Sequence, residues 1–417
     1  MRPIARAAAP LFLAASLVPI HLAWAQDAPP ALPQDSVSVG AEDVPMSELR
    51  DIGDLLAAIF GSTRVQTEAE LRPRPGLSIV ALPSIGYNPA YGAYFGVGAA
   101  AGGWLGDPER TNVSMFALNA TYSTNQQLTI QLRSDAWVEG NKWNFKGDWR
   151  YLDTNQDTYG LGPTTVQTGR YPMDFTMWRF YEAVYRRVSG NVYVGLGYHL
   201  NVHEQVADER ADAGEVTPYS IYEGGTPSQL VASGVSVNVL VDSRDSPIYT
   251  RRGIFWNASL RSYNKSVGSQ EAWQELQSDL RFYPILPRGS RHVLAFWSTM
   301  WMTFGHAPYL DLPAIGWDTY GKSGRGYVQG RLRAQQQLYN EVEYRMVFTR
   351  NELFGGVVFL NATTGTLPSG ALGPLDPGYG IGLRMKFVKR TRTNLTLDYG
   401  WGNENSSGLY LGTQELF

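Results

Sequence analysis

The stretch that decides the fold is 127–151, which reads QLTIQLRSDAWVEGNKWNFKGDWRY. Apolar and polar residues alternate along it in two runs, which the turn Gly140-Asn141 separates. In the first run Leu132 belongs to an apolar face and Arg133 to a polar face. A period of two residues predicts β-strands, because successive side chains of a strand point to opposite faces. Each of these strands is therefore apolar on one side and wet on the other.

The same alternation continues along most of the chain. We count sixteen such segments, at 77–86, 91–105, 111–123, 126–139, 142–153, 175–189, 191–206, 229–241, 253–264, 271–283, 292–304, 335–349, 353–363, 378–389, 393–402 and 408–417. Long strands with charge along one face fit a transmembrane barrel, whose outside meets lipid and whose lumen is wet. We therefore predict an all-β protein, a 16-stranded antiparallel transmembrane β-barrel over 77–417 with a short N-terminal helix. An even strand number places both ends of the barrel in the periplasm.

Connection lengths support the barrel independently. The three longest connectors, 154–174, 207–228 and 305–334, all follow odd-numbered strands. Most connectors after even-numbered strands are tight turns, as expected when long loops lie on one rim and short turns on the other. The exception is the longer turn 242–252, which coincides with a sequence motif.

Composition excludes several functional classes. The 12% of aromatic residues and the 44 glycines are typical of outer-membrane barrels with aromatic girdles. The absence of cysteine excludes disulfides, thiolate catalysis and cysteine-ligated metal sites. With 35 basic and 38 acidic residues, the chain has no basic surface for nucleic acid. No run of 18 apolar residues follows residue 26, which excludes a helical membrane protein.

The N-terminus predicts export. Residues 1–25 read as a cleaved signal peptide, with Arg2 and Arg6 before an apolar stretch and a small-x-small cleavage site at 23–25. A membrane anchor is the alternative, but prolines interrupt the apolar stretch and no stop-transfer pattern follows. The expected location is the outer membrane of a Gram-negative cell.

Residues 26–76 are predicted to form a periplasmic leader. Residues 26–46 are rich in Ala, Pro, Asp and Ser without periodicity, which is typical of disorder, and 62–76 are a polar linker. Within it, 47–60 places apolar residues on one helical face, with Ser47 as N-cap and Gly61 as stop. Three placements stay open for this helix: at the inner membrane surface, docked under the barrel, or simply leading into it.

Three features follow one another along the barrel. The turn 242–247 reads DSRDSP, the connector 305–334 contains the tripeptide RGY, and strand 12 carries acidic residues on its polar face. The chain then ends on an aromatic residue, as strands recognised for outer-membrane insertion do. The residues that we single out are Arg325, Gly326, Tyr327 and Glu343 for the loop, Asp242, Arg244, Asp245 and Pro247 for the turn, and Tyr410, Gly412 and Phe417 for the C-terminal barrel signal.

In this order, these features resemble the BamA/TamA outer-membrane assembly family, also called the bacterial surface antigen family, over residues 77–417. The resemblance implies that connector 305–334 folds back into the lumen. There Arg325 would contact Glu343 on strand 12 and a residue on strand 13. The strand-13 position falls on Asn361 where the family has aspartate, so the hydrogen bonds are kept and the charge is lost. Changing Asn361 to aspartate is expected to strengthen this loop lock.

The resemblance also predicts a departure at the N-terminus. Family members carry periplasmic POTRA domains that hold client chains, each about as long as the whole segment 26–76 or longer. The chain therefore resembles a barrel-only member. At the other end, Glu415 does not fit the terminal signal well, since that signal is otherwise apolar and aromatic.

Three other motif matches lack the structural context that their chemistry needs. Residues 316–323 match the P-loop pattern G-x-x-x-x-G-K-[ST], but no helix can start among the glycines that follow. A glycine run at 96–101 imitates a dinucleotide fingerprint but lies inside an alternating strand. His199 and His203 would stand about 13 Å apart on a strand, too far for one metal ion. We expect no metal, no cofactor and no catalytic constellation, so the protein is not predicted to be an enzyme.

The expected function is assistance in inserting or moving protein or lipid at the outer membrane, with a weak seam between strands 1 and 16. Pro83 on strand 1 cannot donate to a ladder, which compromises that edge. The alternative is a passive pore or a purely structural barrel, which needs neither seam nor partner. The expected partners are outer-membrane lipid and lipopolysaccharide, the barrel assembly machinery during biogenesis, and an unidentified client or partner protein.

Overall fold

The computed structural model describes residues 45, 48–60, 75–88, 90, 92–165, 169–222, 227–287, 290–319, 321–389, 392–413 and 415–417. The predicted signal peptide, the N-cap Ser47 and the stop Gly61 lie outside the described residues.

One antiparallel sheet of sixteen strands makes up almost all of the described chain, in the order β1 to β16. This confirms the predicted fold class and strand number. The strands are β1 (Gly76–Asn88), β2 (Gly92–Trp104), β3 (Ser114–Ser123), β4 (Leu128–Val138), β5 (Trp143–Thr158), β6 (Tyr171–Ser189), β7 (Val192–Asp208), β8 (Gln229–Asp242), β9 (Gly253–Tyr263), β10 (Trp273–Tyr283), β11 (Val293–Gly305), β12 (Gln336–Val347), β13 (Phe354–Gly365), β14 (Asp376–Val388), β15 (Thr393–Trp401) and β16 (Ser407–Thr413).

The two faces of the sheet differ as the alternation predicts. Along β7, Leu196 is 69% exposed on the outside, whereas His199 and Asn201 are buried on the inside. Between β4 and β5, Leu132 stands opposite Trp149 on the outer face, and Arg133 stands opposite Asp148 on the inner face. The outside is therefore an apolar surface, and the lumen is lined with polar and charged side chains.

The two rims of the barrel also differ. We call the end with the turns that follow even-numbered strands the near rim, and the opposite end the far rim. The three longest connectors, 159–170, 209–228 and 306–335, all belong to the far rim. The connector 209–228 opens with a four-residue helix, Glu209–Asp212, capped by the side chain of Asp208.

Strands β5 and β6 extend further toward the far rim than the sequence predicted. Their ladder continues to the pair Thr158–Tyr171. The inner face of this extension packs against the connector 306–335, and the Thr158 hydroxyl lies 2.6 Å from the Tyr309 hydroxyl. The extension of β5 and β6 is stabilised because the connector packs against its inner face. An alternation pattern in the sequence does not reveal that contact.

At its other end the sheet is shorter than predicted. β16 ends at Thr413 instead of continuing to the last residue. Glu415 and Phe417 are buried inside the barrel, because Arg384 binds the Glu415 carboxylate at 2.8 Å and Arg345 donates to the Phe417 carbonyl at 2.8 Å. The polar contacts of Glu415 explain why this residue did not fit an apolar strand end.

Helix α1 (Ile52–Ile59) is shorter than the predicted 47–60, because its cap is Asp51. Asp51 and Asp54 exchange backbone–side chain hydrogen bonds of 3.0 and 3.1 Å, the reciprocal arrangement of a capping box. The helix docks on the near rim, where Lys389 Nζ lies 2.8 Å from the Asp54 carboxylate and Leu49 is fully buried. Of the helices that the structure describes, none is long and apolar enough to cross a membrane.

Candidate functional site in the barrel lumen

The far-rim connector 306–335 folds into the barrel and forms its own small core. Its two limbs run antiparallel and are joined by hydrogen bonds from Ile315 N to Leu332 O at 3.0 Å and from Gly330 N to Ile315 O at 2.9 Å. The buried hydrophobic residues of the connector are Ala307, Tyr309, Leu312, Ala314, Ile315, Trp317, Tyr327, Leu332 and Ala334. A connector of this length needs a surface to pack on, and the lumen wall supplies it.

Arg325 lies at the tip of the folded connector and is 1% exposed. Its Nη1 donates to Asp398 Oδ2 on β15 at 2.7 Å, and its Nη2 donates to the carboxylates of Glu341 and Glu343 on β12. The guanidinium carbon also lies 3.5 Å from the centre of the Phe359 ring. One arginine therefore joins β12, β13 and β15 through charge-assisted bonds and a cation–π contact.

The charges around Arg325 are balanced by further arginines. Arg345 Nε donates to Glu343 at 2.7 Å, and Arg384 Nη1 donates to Asp398 at 2.5 Å. The Tyr339 hydroxyl donates to Glu341, so each carboxylate keeps one partner besides Arg325. Because buried carboxylates are stable only when paired, the loop tip completes an ionic network along the β12–β15 side of the lumen wall.

The connector reaches these carboxylates because glycine lies on both sides of the contact. Gly326 has a φ of +101°, and a Cβ there would stand 2.7 Å from the backbone of Trp401. On β15, a Cβ at Gly400 would stand 2.7 Å from Gly326 N. The loop backbone therefore lies directly on the wall backbone, and no side chain fits between them.

The structure places the predicted loop residues together, with one change in roles. Arg325 and Glu343 are in contact, but the side chain of Asn361 does not reach the guanidinium. Its amide instead donates to the Arg325 carbonyl at 3.0 Å. Asp398, which supplies a carboxylate in this cluster, was missed by the sequence reasoning. Its signal is an inward-facing acid in the strand NLTLDYGW, at 394–401.

Tyr327 and the C-terminal strand also contact the connector. The Tyr327 hydroxyl donates to the Pro377 carbonyl and accepts from Asn403 N at 3.0 Å. The Tyr410 hydroxyl accepts from Gly326 N at 2.9 Å and donates to the Tyr327 carbonyl at 3.3 Å. Tyr410, singled out as part of a terminal signal, thus faces the lumen and holds the loop.

The last residues of the chain occupy the lumen beside this network. The Phe417 ring lies 5.2 Å from that of Trp297 and 6.4 Å from that of Tyr283. Gly412 stays in the wall on β16, where a Cβ would stand 3.0 Å from the Thr396 hydroxyl.

The near-rim turn 243–252 packs into the opposite end of the lumen. Arg244 binds Asp242 through two hydrogen bonds of 2.9 and 2.7 Å. Asp245, two residues before Pro247, accepts backbone hydrogen bonds at 3.0 and 3.4 Å from the far side of the turn. These contacts bend the turn inward, so that Tyr249 is buried with Lys386 Nζ 4.4 Å from its ring centre.

Two motifs set aside earlier have structural roles. In the P-loop-like segment 316–323, the carboxylate of Asp318 accepts from Lys322 N at 3.1 Å and from Ser323 N at 2.8 Å. The amides that would hold a phosphate are thus occupied by the loop's own aspartate. His199 and His203 are both buried on the inner face of β7, and His199 Nε2 lies 2.8 Å from the Ser236 hydroxyl.

Several solved structures have a barrel similar to this one. The barrel is similar to BamA from Haemophilus ducreyi lacking POTRA domains 1–3, with a TM-score of 0.52 and 14% identity over 82% of this chain and 70% of that one. It is similar to CdiB from Acinetobacter baumannii, with a TM-score of 0.50 and 12% identity over 81% of this chain. CdiB from Escherichia coli gives a TM-score of 0.50 and 9% identity over 84% of this chain.

The fold is that of the BamA and CdiB barrels. The resemblance that the sequence motifs predicted is thereby confirmed at the level of the fold. This chain spans 59% and 62% of the lengths of the two CdiB chains. Neither a protein-family model nor a curated protein sequence matches the chain.

Proposed function

We propose that this BamA-like barrel resides in the outer membrane of a Gram-negative cell and assists the insertion or translocation of protein or lipid there. The supporting observation is the junction between its first and last strands. Each strand from β1 to β15 is hydrogen-bonded to the next one in the chain. Among the described residues, no such ladder joins β1 to β16, although their Cα atoms approach within 8 Å.

The lengths of the two edge strands account for this seam. β1 has 13 residues and β16 has seven, because the chain turns into the lumen after Thr413. The remainder of the β1 edge faces no strand of equal length, and Pro83 within it has no N–H to donate. A strand edge that its neighbour covers over only part of its length is a template for an incoming strand.

The contents of the lumen disfavour the passive-pore alternative. Arg325 of the far-rim connector, the C-terminal residues Glu415 and Phe417, and Tyr249 of the near-rim turn are all buried inside the barrel. A permanently open channel would require these groups to leave the lumen, and Arg325 alone makes three ion pairs there. A route through the side of the barrel needs none of these contacts to break.

The experiment that tests this function locks the seam. The chain has no cysteine, so a pair introduced at Leu411 and at Ile79, Ala81 or Pro83 forms the sole disulfide. The three β1 positions sample registers two residues apart, since the seam needs Cβ atoms about 4 Å apart for a disulfide. The matched control is a cysteine pair at Leu196 and Val237, which face each other in the β7–β8 ladder.

The readout is the folding rate of an unfolded small outer-membrane barrel added to vesicles in which it inserts slowly alone. Wild-type protein and the oxidised control pair are expected to accelerate folding, whereas the oxidised seam pair is expected to lose the acceleration and regain it on reduction. Full acceleration by the locked seam would refute the lateral route. No acceleration by the wild type would refute insertion activity on protein clients.

A further inference from the structure

An acidic residue lies at the middle height of the apolar outer surface. Glu182 on β6 points outward and is half-buried. Four residues toward the near rim, Arg186 lies over the outward Trp143 ring at 5.3 Å. Four residues toward the far rim, the Trp178 ring packs on that of Tyr151 with centres 4.5 Å apart. Such aromatic rows mark the two interfaces of a lipid-facing band.

The strand geometry gives the depth of Glu182. Four residues of a strand tilted by about 40° rise about 10 Å along the barrel axis. Glu182 therefore lies about 10 Å from each aromatic row, at the middle of a band about 25 Å tall. No cationic headgroup of a lipid reaches that depth, because headgroups lie at the level of the aromatic rows.

The surroundings of Glu182 on the outer face are apolar or neutral. Among the described outward residues of β4 to β8 between the two aromatic rows, it is the only Asp, Glu, Lys or Arg. Those neighbours are Leu132, Ser134, Ala136, Phe145, Gly147, Trp149, Phe180, Val184, Leu196, Tyr198, Leu200, Val235 and Val237.

Neighbouring residues fix the position of the Glu182 carboxylate. Trp149 Nε1 donates to Glu182 Oε1 at 2.7 Å, and the Trp149 ring stacks on Phe180 with centres 5.5 Å apart. Directly opposite Glu182 on β5 is Gly147, where a Cβ would stand 3.0 Å from that oxygen and 2.7 Å from the Ser134 hydroxyl. The absence of a side chain at Gly147 thus provides the space that the Glu182 carboxylate occupies.

One oxygen of this carboxylate is left without a donor. Within the described part of the chain, the hydrogen bond from Trp149 ends on Oε1 and none reaches Oε2. A carboxylate in hydrocarbon is costly unless it is neutral or paired, and such residues mark sites of function or contact. The adjacent faces of Trp149 and Phe180 add the surface that a cation prefers.

We propose that Glu182 is the docking point for a lysine or arginine side chain that a different membrane-embedded protein presents at mid-depth. Charge complementarity identifies the chemistry of this partner. A second copy of this chain does not supply it, because a two-fold axis along the membrane normal keeps every residue at its own depth. The cation Arg186 of such a copy would stay about 10 Å away, and the two Glu182 carboxylates would meet instead.

The test uses the full chain in phosphatidylcholine vesicles with one fluorophore. The reporter is attached to a cysteine introduced at Ala136, which faces outward near Glu182 in a chain without other cysteines. The probe is a synthetic transmembrane helix of about 21 leucine and alanine residues carrying one central lysine and a quencher. The matched probe carries glutamine in place of that lysine.

With the wild type, the lysine helix is expected to reach half-maximal quenching at an at least tenfold lower peptide fraction than the glutamine helix. Glu182→Gln, which keeps the shape of the side chain, is expected to make the two helices equivalent. Asp153→Asn removes an outward carboxylate beyond the far aromatic row and is expected to keep the tenfold preference.

Two results would overturn the proposal: equal quenching by both helices with the wild type, or a lysine preference that survives Glu182→Gln. Heat-modifiable migration on gels checks that each variant is folded. Should Glu182→Gln not fold, the comparison of the two helices on the wild type decides alone. None of these outcomes depends on the seam between β1 and β16, so the proposed insertion function stands or fails separately.

Discussion

Replacement of Arg325 by alanine should unfold the lumen network from its centre. The change removes three ion pairs at once and leaves Glu341, Glu343 and Asp398 buried around an empty volume. Breaking a buried pair by removing one partner typically costs about 3–5 kcal/mol. Two of these carboxylates keep another arginine, so we expect a loss near the lower bound, about 3 kcal/mol in the free energy of unfolding.

The assay is equilibrium unfolding in urea of the protein in lipid vesicles, followed by tryptophan fluorescence and by heat-modifiable migration. Limited proteolysis measures the same event locally, because a released 306–335 connector becomes accessible at the far rim. The control is Arg210→Ala, which removes an ion pair to Glu215 whose side chains are 40% and 50% exposed. Exposed pairs are worth under about 1 kcal/mol, so this variant should unfold like the wild type.

The refuting result is equality of the two variants. If Arg325→Ala costs no more than Arg210→Ala and the connector stays resistant to protease, then the guanidinium is not the element that holds the loop in the lumen. The burial of the connector would then rest on its apolar residues alone.

Three further predictions concern other contacts. The family resemblance led us to expect that Asn361→Asp would strengthen the loop lock, but the contact seen here predicts the opposite. Asn361→Asp should destabilise the barrel by about 1–3 kcal/mol in urea unfolding, because it removes the donor to the Arg325 carbonyl and adds a carboxylate beside it. Burial alone would raise the pKa of Asp54, but the hydrogen bond and charge of Lys389 lower it overall. The docking of α1 should therefore persist above about pH 4 and weaken as the pH falls further. The measurement is the hydrogen-exchange protection factor of 52–59, which should fall with the pH. A protection factor that does not depend on pH would contradict this. Deleting Phe417 should lower the yield of folded outer-membrane protein while export continues, and an unchanged yield would leave that residue without a targeting role.

The strands could be predicted from the sequence because each one has its own alternation of apolar and polar residues. In a wall one sheet thick, every residue faces either lipid or lumen, so alternation fixes the face of Leu132 or Arg133 without knowledge of its neighbours. Strand ends were harder, since they depend on contacts made elsewhere. β5 continues because a distant connector covers its inner face, and β16 stops because Arg384 and Arg345 draw the chain inward.

The partners of Arg325 on the lumen wall could be predicted only in part. The motif around Arg325 indicated a buried arginine, and Glu343 followed from its inward position on β12. Which further carboxylate meets the arginine depends on how the strands stagger around the barrel, a property of closure that no local pattern contains. Asp398 lies on the wall that the loop tip reaches, whereas Asn361 lies under the loop backbone. Glu182 was missed because the alternation predicts only apolar residues on the outer face, and an isolated acid there carries no further signal.

The contact between Gly326 and Gly400 has a genetic consequence. In most protein cores, a larger residue on one side of a contact can be rescued by a smaller one on the other, so paired positions drift together. Here both partners are already the smallest residue, and the space between them is set by backbone atoms. A substitution at either position has no suppressor at the other. A search for second-site revertants of Gly326→Ala should therefore return the original glycine, or changes that shift the connector as a whole.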